Sequence, residues 1–200
     1  MAAVRRAVVW LALVGVVAAT LTQAAMSPLL AWRDPIYIAA GFAGIMALCL
    51  LLLQPLLAGG LLPGISAIRA RRVHRWLGGG LSLAVLVHVG CLWLTSPPDV
   101  IDALLLRSPT PFSIWGVLAL WSVLIAAFLV MLRKRTRLPV ITWRIIHKVL
   151  AVVTVIGSVV HALKIEGTMG LVSKYVLCAM VIAVCLWVVC GVGKAVKTLR

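Results

Sequence analysis

His74-Arg75-Trp76-Leu77-Gly78-Gly79-Gly80-Leu81-Ser82-Leu83-Ala84-Val85-Leu86-Val87-His88 is an apolar run bracketed by two histidines fourteen residues apart. The same bracket recurs at His147 and His161, and these four are every histidine in the chain. In an α-helix, fourteen residues complete a nearly whole number of turns and rise about 21 Å. Each stretch therefore presents two imidazoles on one face, near the two sides of a hydrocarbon core about 30 Å thick. Two such helices side by side predict two stacked bis-histidine sites, an arrangement suited to holding two haems.

Composition places those helices in a membrane. The 200 residues are 64% hydrophobic and have a mean hydropathy of +1.19, too apolar for a polar shell around a soluble core. Charge-free runs cover Ala7–Trp32, Pro35–Ile68, Trp76–Pro98, Ser108–Leu132 and Tyr175–Gly193, each at or near the length of a span. A sixth, Val149–Leu163, extends back to Ile145 if Lys148 snorkels toward the headgroups. The expectation is an all-α polytopic protein, a bundle of six transmembrane helices near 7–27, 36–58, 74–95, 113–132, 142–164 and 171–192, with residues 1–200 forming one domain.

Charge orients the bundle. With a cytoplasmic N-terminus, fifteen of the nineteen basic residues fall on the inner side, leaving Arg33, Arg107, Lys164 and Lys174 outside with all four acids, Asp34, Asp99, Asp102 and Glu166. The positive-inside rule then predicts that both termini are cytoplasmic. It predicts a membrane crossed several times, with the net charge of +15 concentrated on one face. Such a face attracts anionic lipid headgroups and acidic proteins. Nucleic-acid binding is not expected, because the basic residues lie in short loops and helix ends.

Parity sharpens the histidine reading. The third and fifth spans run in the same direction, so His74 is level with His147 on the inner side, and His88 with His161 on the outer side. A histidine in an apolar helix can be a hydrogen-bonded packing residue, but ionisable groups inside membranes are costly and tend to mark function. Gly78, Gly79, Gly80 and Gly157 sit one turn from histidines and allow close approach, either of a flat macrocycle or of a neighbouring helix. Leu81 and Thr154, each seven residues past the first histidine of its pair, are expected to fill the space between levels. The five cysteines show neither C-x-x-C nor C-x-x-C-H, which argues against iron–sulfur ligation and covalent haem.

The segments His74-Arg75-Trp76-Leu77-Gly78 to His88 and Trp143-Arg144-Ile145-Ile146-His147 to His161 resemble the ferric reductase-like transmembrane domain. That family includes the membrane parts of NADPH oxidases and ferric reductases. It also includes compact bacterial haem-binding subunits, such as the one serving periplasmic methionine sulfoxide reductase. The resemblance implies two b-type haems, with iron held by His74 and His147 on the inner level and by His88 and His161 on the outer. Arg75 and Arg144 are expected to help bind the inner cofactor. It implies an oxidoreductase membrane subunit, a b-type cytochrome passing electrons from a cytoplasmic-side donor to a periplasmic-side acceptor.

The sequence shows no G-x-G-x-x-G unit, so flavin and NADPH chemistry is expected from a separate partner. The donor is then a flavoprotein or quinol, with flavin or quinone as further cofactor candidates. Two other readings stand beside this one. A quinol-linked cytochrome b uses histidines at similar spacing, and a metal or proton transporter could use the four imidazoles as a relay.

Overall fold

The computed structural model describes residues 1–191. Seven α-helices follow in order: α1 Ala2–Ala25, α2 Pro35–Ala58, α3 Ala67–Thr95, α4 Pro97–Leu104, α5 Ser113–Met131, α6 Val140–Lys164 and α7 Leu171–Val189. Six of them, all but α4, are long and apolar enough to cross a membrane. The protein is a multi-pass, all-α membrane protein, as its hydropathy predicts. The C-terminal basic residues Lys194, Lys197 and Arg200, on which the inner placement of the C-terminus leans, lie outside the described residues.

Two of the long helices, α2 and α3, start at side-chain caps. Asp34 accepts a hydrogen bond from Ile36 N at 2.7 Å, and Pro35 takes the first helical position, where its missing N–H costs nothing. Ser66 caps α3 by accepting from Arg69 N at 3.4 Å. The third helix therefore begins seven residues before its expected start at 74, because the arginine-rich segment 67–73 is helical although it is not apolar. That overhang rises about 10 Å and carries Arg69, Arg71 and Arg72 beyond the apolar stretch. The short helix α4, opened by Pro97 and Pro98, was not expected. Its first turn is held by Ser96 Oγ bonded to Asp99 Oδ2 at 2.6 Å.

Two antiparallel hairpins, α2–α3 and α5–α6, are the main packing units, with α7 against α1, α2 and α6. The centre of the bundle is the seam of α2 and α7, where Leu52, Leu177 and Val181 are fully buried. By contrast α3 buries only Ala70 and Leu81. Large side chains such as Leu83, Trp121, Phe128 and Leu186 stand outward, as lipid-facing residues should. Gly157 lets α6 lie directly on α5: a Cβ there would sit 2.8 Å from Trp115 O and 3.1 Å from Ala119 Cβ. Its role is thus helix packing.

The hairpins also sort charge. Arg5 and Arg6, the Arg69–Arg75 segment, the loop Arg133–Arg137, Arg144 and Lys148 share one end, where Gly64 of the α2–α3 loop abuts the Arg6 side chain. Asp34, Asp99, Asp102 and Glu166 belong to the opposite end. There the buried Lys174 donates from Nζ to the Ile165 carbonyl at 2.6 Å, meeting the exposed C-terminal dipole of α6.

Candidate functional site

The four histidines meet in two pairs at two depths. His74 and His147 have ring centroids 6.3 Å apart and planes at 75°. His88 and His161 lie 6.4 Å apart at 83°. Among the described residues, α3 and α6 are not a closely packed backbone pair; each leans on its own hairpin partner instead. The imidazoles are what reach across. Leu81 and Thr154 are buried between the two levels, and Thr154 Oγ1 is satisfied by Leu150 O at 2.9 Å.

Each ring is held from behind, and three of the four are held by a backbone carbonyl. His88 Nδ1 donates to Ala40 O at 2.7 Å, His161 Nδ1 to Phe112 O at 2.9 Å, and His74 Nδ1 to Gln54 O at 3.2 Å. A carbonyl can only accept, so Nδ1 must carry the proton in these bonds. That leaves Nε2 as the lone-pair nitrogen of the ring. The carbonyls belong to α2 for the α3 histidines, and to the residue opening α5 for the α6 histidine.

Two glycines make the close approach of the outer rings fit. A Cβ on Gly44 would lie 3.1 Å from His88 Nδ1, and one on Gly116 would lie 2.7 Å from His161 Nδ1. Each glycine is four residues past the accepting carbonyl, so it faces the same groove one turn on. Phe112 O serves both the Gly116 amide, at 3.2 Å, and the imidazole. The two hairpins thus repeat one device. Carbonyl and glycine recur with an offset of 72 residues on the first helix, and both histidines with an offset of 73 on the second.

The inner pair departs from this pattern on both sides. The Gln54 carboxamide, turned so that its nitrogen faces α3, can donate to His74 Nδ1 at 2.9 Å and to His74 O at 3.3 Å while its oxygen accepts from Gly78 N at 3.1 Å. A ring accepting at Nδ1 must carry its proton on Nε2, so the Gln54 side chain and backbone compete for the tautomer of His74. His147 Nδ1 is buried with no hydrogen-bond partner. Its ring is held by stacking instead: Trp143 lies parallel to it at 5.3 Å and 2°. Trp143 in turn donates from Nε1 to Leu129 O at 3.5 Å and carries the Arg133 guanidinium 5.4 Å from its ring.

The family described as ferric reductase like transmembrane component matches residues 43–158, more than half of the chain. The chain belongs to the ferric reductase like transmembrane component family. The match takes in Gly44, His74, His88, Gly116 and His147, and it ends three residues before His161. No curated protein and no solved structure matches the chain. Membership agrees with the resemblance carried by the histidine-bracketed segments.

The cofactor expectation for this family member is corrected. Among the described residues, no group of three or more His, Cys, Asp or Glu side chains is placed to hold a metal ion. The physical reason lies in the layout. Each level offers two imidazoles and no third donor: the acids are at helix ends and in loops, and the cysteines are scattered along other faces. The two-haem b-type cytochrome, its iron and its metal-binding character are not carried forward. Neither are the flavin or quinone candidates of that scheme, the quinol-linked cytochrome b, or the metal and proton transporter built on the same four residues. Arg75 and Arg144 are exposed, and no hydrogen bond or cation–π contact joins either of them to a histidine among the described residues. Gly44, Gly116, Ala40, Phe112 and Gln54 are site residues the sequence reading did not single out.

Proposed function

We propose that this chain is the membrane-embedded component of a reductase assembly, and that the two-level stack of histidine pairs is where its two hairpins engage each other. The observation that carries this reading is the repeated hairpin device. Two hairpins each supply a carbonyl, a glycine and a histidine in the same relation, within a chain belonging to the ferric reductase like transmembrane component family. Carbonyls hold three imidazoles, fixing His88 and His161 in one tautomer while Gln54 contests the third, a costly arrangement for simple space-filling, since Ala or Leu would fill the same space without buried polar atoms.

Further parts of the reading rest on charge. The end bearing Arg5, Arg69–Arg75, Arg133–Arg137, Arg144 and Lys148 faces the cytoplasm of a bacterial inner membrane, because basic loops are retained there. Both termini lie on that side, and residues 1–200 act as one domain. A separate donor protein with an acidic surface docks on that face, where Arg75 and Arg144 offer exposed cations at the His74–His147 level. The acceptor is met at the opposite, acid-bearing end.

The test is reduction of a membrane-impermeant ferric chelate by intact cells. Deleting the chain should lower the rate, and the wild-type chain should restore it. A His88→Ala/His161→Ala double variant, present in the membrane at equal amount, should not. Deletion cells that reduce the chelate at the undiminished rate, or a double variant that restores it fully, overturn the proposal.

A further inference from the structure

The back of α6 carries a feature the histidines do not use. Two adjoining hollows of about 210 and 200 Å³ run along the α6–α7 seam, and they share Val152 and Val189. Their walls are aliphatic apart from Cys185, with Val159 and Ile182 toward the far end and Lys148 as the one charged residue, at the mouth. From Lys148 to Val160 the groove follows thirteen residues of α6, about 18 Å of helix rise from first to last. One leaflet of a bilayer is about 15 Å of hydrocarbon, half of the 30 Å core.

We infer that this groove holds one acyl chain of an anionic phospholipid from the leaflet at the basic end, with the headgroup phosphate on Lys148 and Arg144. The groove opens outward from a membrane-spanning bundle at hydrocarbon depth, so its occupant must be apolar over that length. Its length suits one leaflet. The mouth selects charge: Lys148 and Arg144 are exposed, stand one turn apart on α6, and make no hydrogen bond or ion pair to protein among the described residues. The acids, which would compete for them, are at the other end of the bundle. A zwitterionic headgroup would bring its own cation to the same two side chains and gain less.

The experiment reconstitutes the full chain into nanodiscs made from equal parts of a zwitterionic and an anionic phospholipid of matched chain length. Mild detergent extraction follows, and retained lipid is counted by mass spectrometry. One anionic lipid per chain is expected, enriched over the zwitterionic one by at least about five-fold, the factor one basic residue near the surface supplies. Lys148→Glu should abolish the enrichment. Ile182→Trp, which fills the groove without touching charge, should release the lipid while leaving the basic end intact. Arg69→Glu, on a different helix, should leave retention unchanged. Equal retention of both lipids overturns the inference, and so does anionic enrichment that survives Ile182→Trp, which would assign it to the basic end as a whole. Recovery of a neutral hydrophobe such as a quinone from the groove in place of phospholipid overturns it as well.

Discussion

Replacing Gly116 with alanine should damage the outer histidine pair from a distance of one side chain. The added Cβ would lie 2.7 Å from His161 Nδ1, 2.8 Å from Cε1 and 3.4 Å from Cγ. Ordinary carbon contacts begin near 3.4 Å, so the ring must retreat by about 0.7 Å. Its bond to Phe112 O is 2.9 Å, and a retreat of that size along the bond takes it past hydrogen-bonding distance. Losing the bond costs about 0.5–1.5 kcal/mol, and crowding a packed site costs about 1–3. Alanine gains back about 1 kcal/mol over glycine in helix propensity.

The net loss should therefore be about 0.5–3.5 kcal/mol in detergent unfolding, accompanied by a changed ¹⁵N shift at His161 Nδ1. Gly44→Ala, whose Cβ would meet His88 at 3.1 Å, needs a shift of only a few tenths of an ångström and should be near neutral. Gly15→Ala, with open space around it, should be neutral or slightly stabilising. If Gly116→Ala were as stable as the parent and left the His161 spectrum unmoved, the carbonyl–glycine buttress would not be what holds the ring.

The inner pair invites two more experiments. Trp143→Leu removes both the stack on His147 and the indole bond to Leu129, interactions worth about 0.5–1.5 kcal/mol each. The His147 ring signals should broaden into several conformers, whereas Trp143→Phe keeps the stack and should hold them sharp; equal broadening in both would refute stacking as the restraint. Gln54→Leu deletes the side-chain competitor and leaves the backbone carbonyl. ¹⁵N spectra should then show His74 as a single Nδ1–H tautomer, against a mixture in the parent, and an unchanged spectrum would mean that the carboxamide plays no part.

Much of this fold is legible in the residues. Hydropathy finds the six long helices, because lipid-facing surfaces such as those of α5 and α7 must be apolar along their whole length. Period and parity pair His74 with His147 and His88 with His161, because fourteen residues and parallel spans leave little freedom of level. The start of α3 at Ala67 was missed because hydropathy does not see a helix made of arginines, although Ser66 marks its cap. The buttresses were missed for a different reason. Ala40 and Phe112 contribute carbonyls, which every residue has, so no side-chain identity announces them. The available signal was Gly44 and Gly116, whose offset nearly equals that between the histidine pairs. The cofactor expectation went further than the layout allows, because paired spacing says how many imidazoles meet and nothing about a third donor.

Each of His74, His88 and His161 is anchored to the other helix of its own hairpin, never to the facing one. The hairpin is consequently a rigid jaw that carries both tooth and gum. Sliding one jaw against the other would alter the span between opposing imidazoles while leaving these anchoring bonds untouched. In such a vice, width is set by the α3–α5 contact and by the seams with α7, and the chemical state of the teeth is set within each jaw.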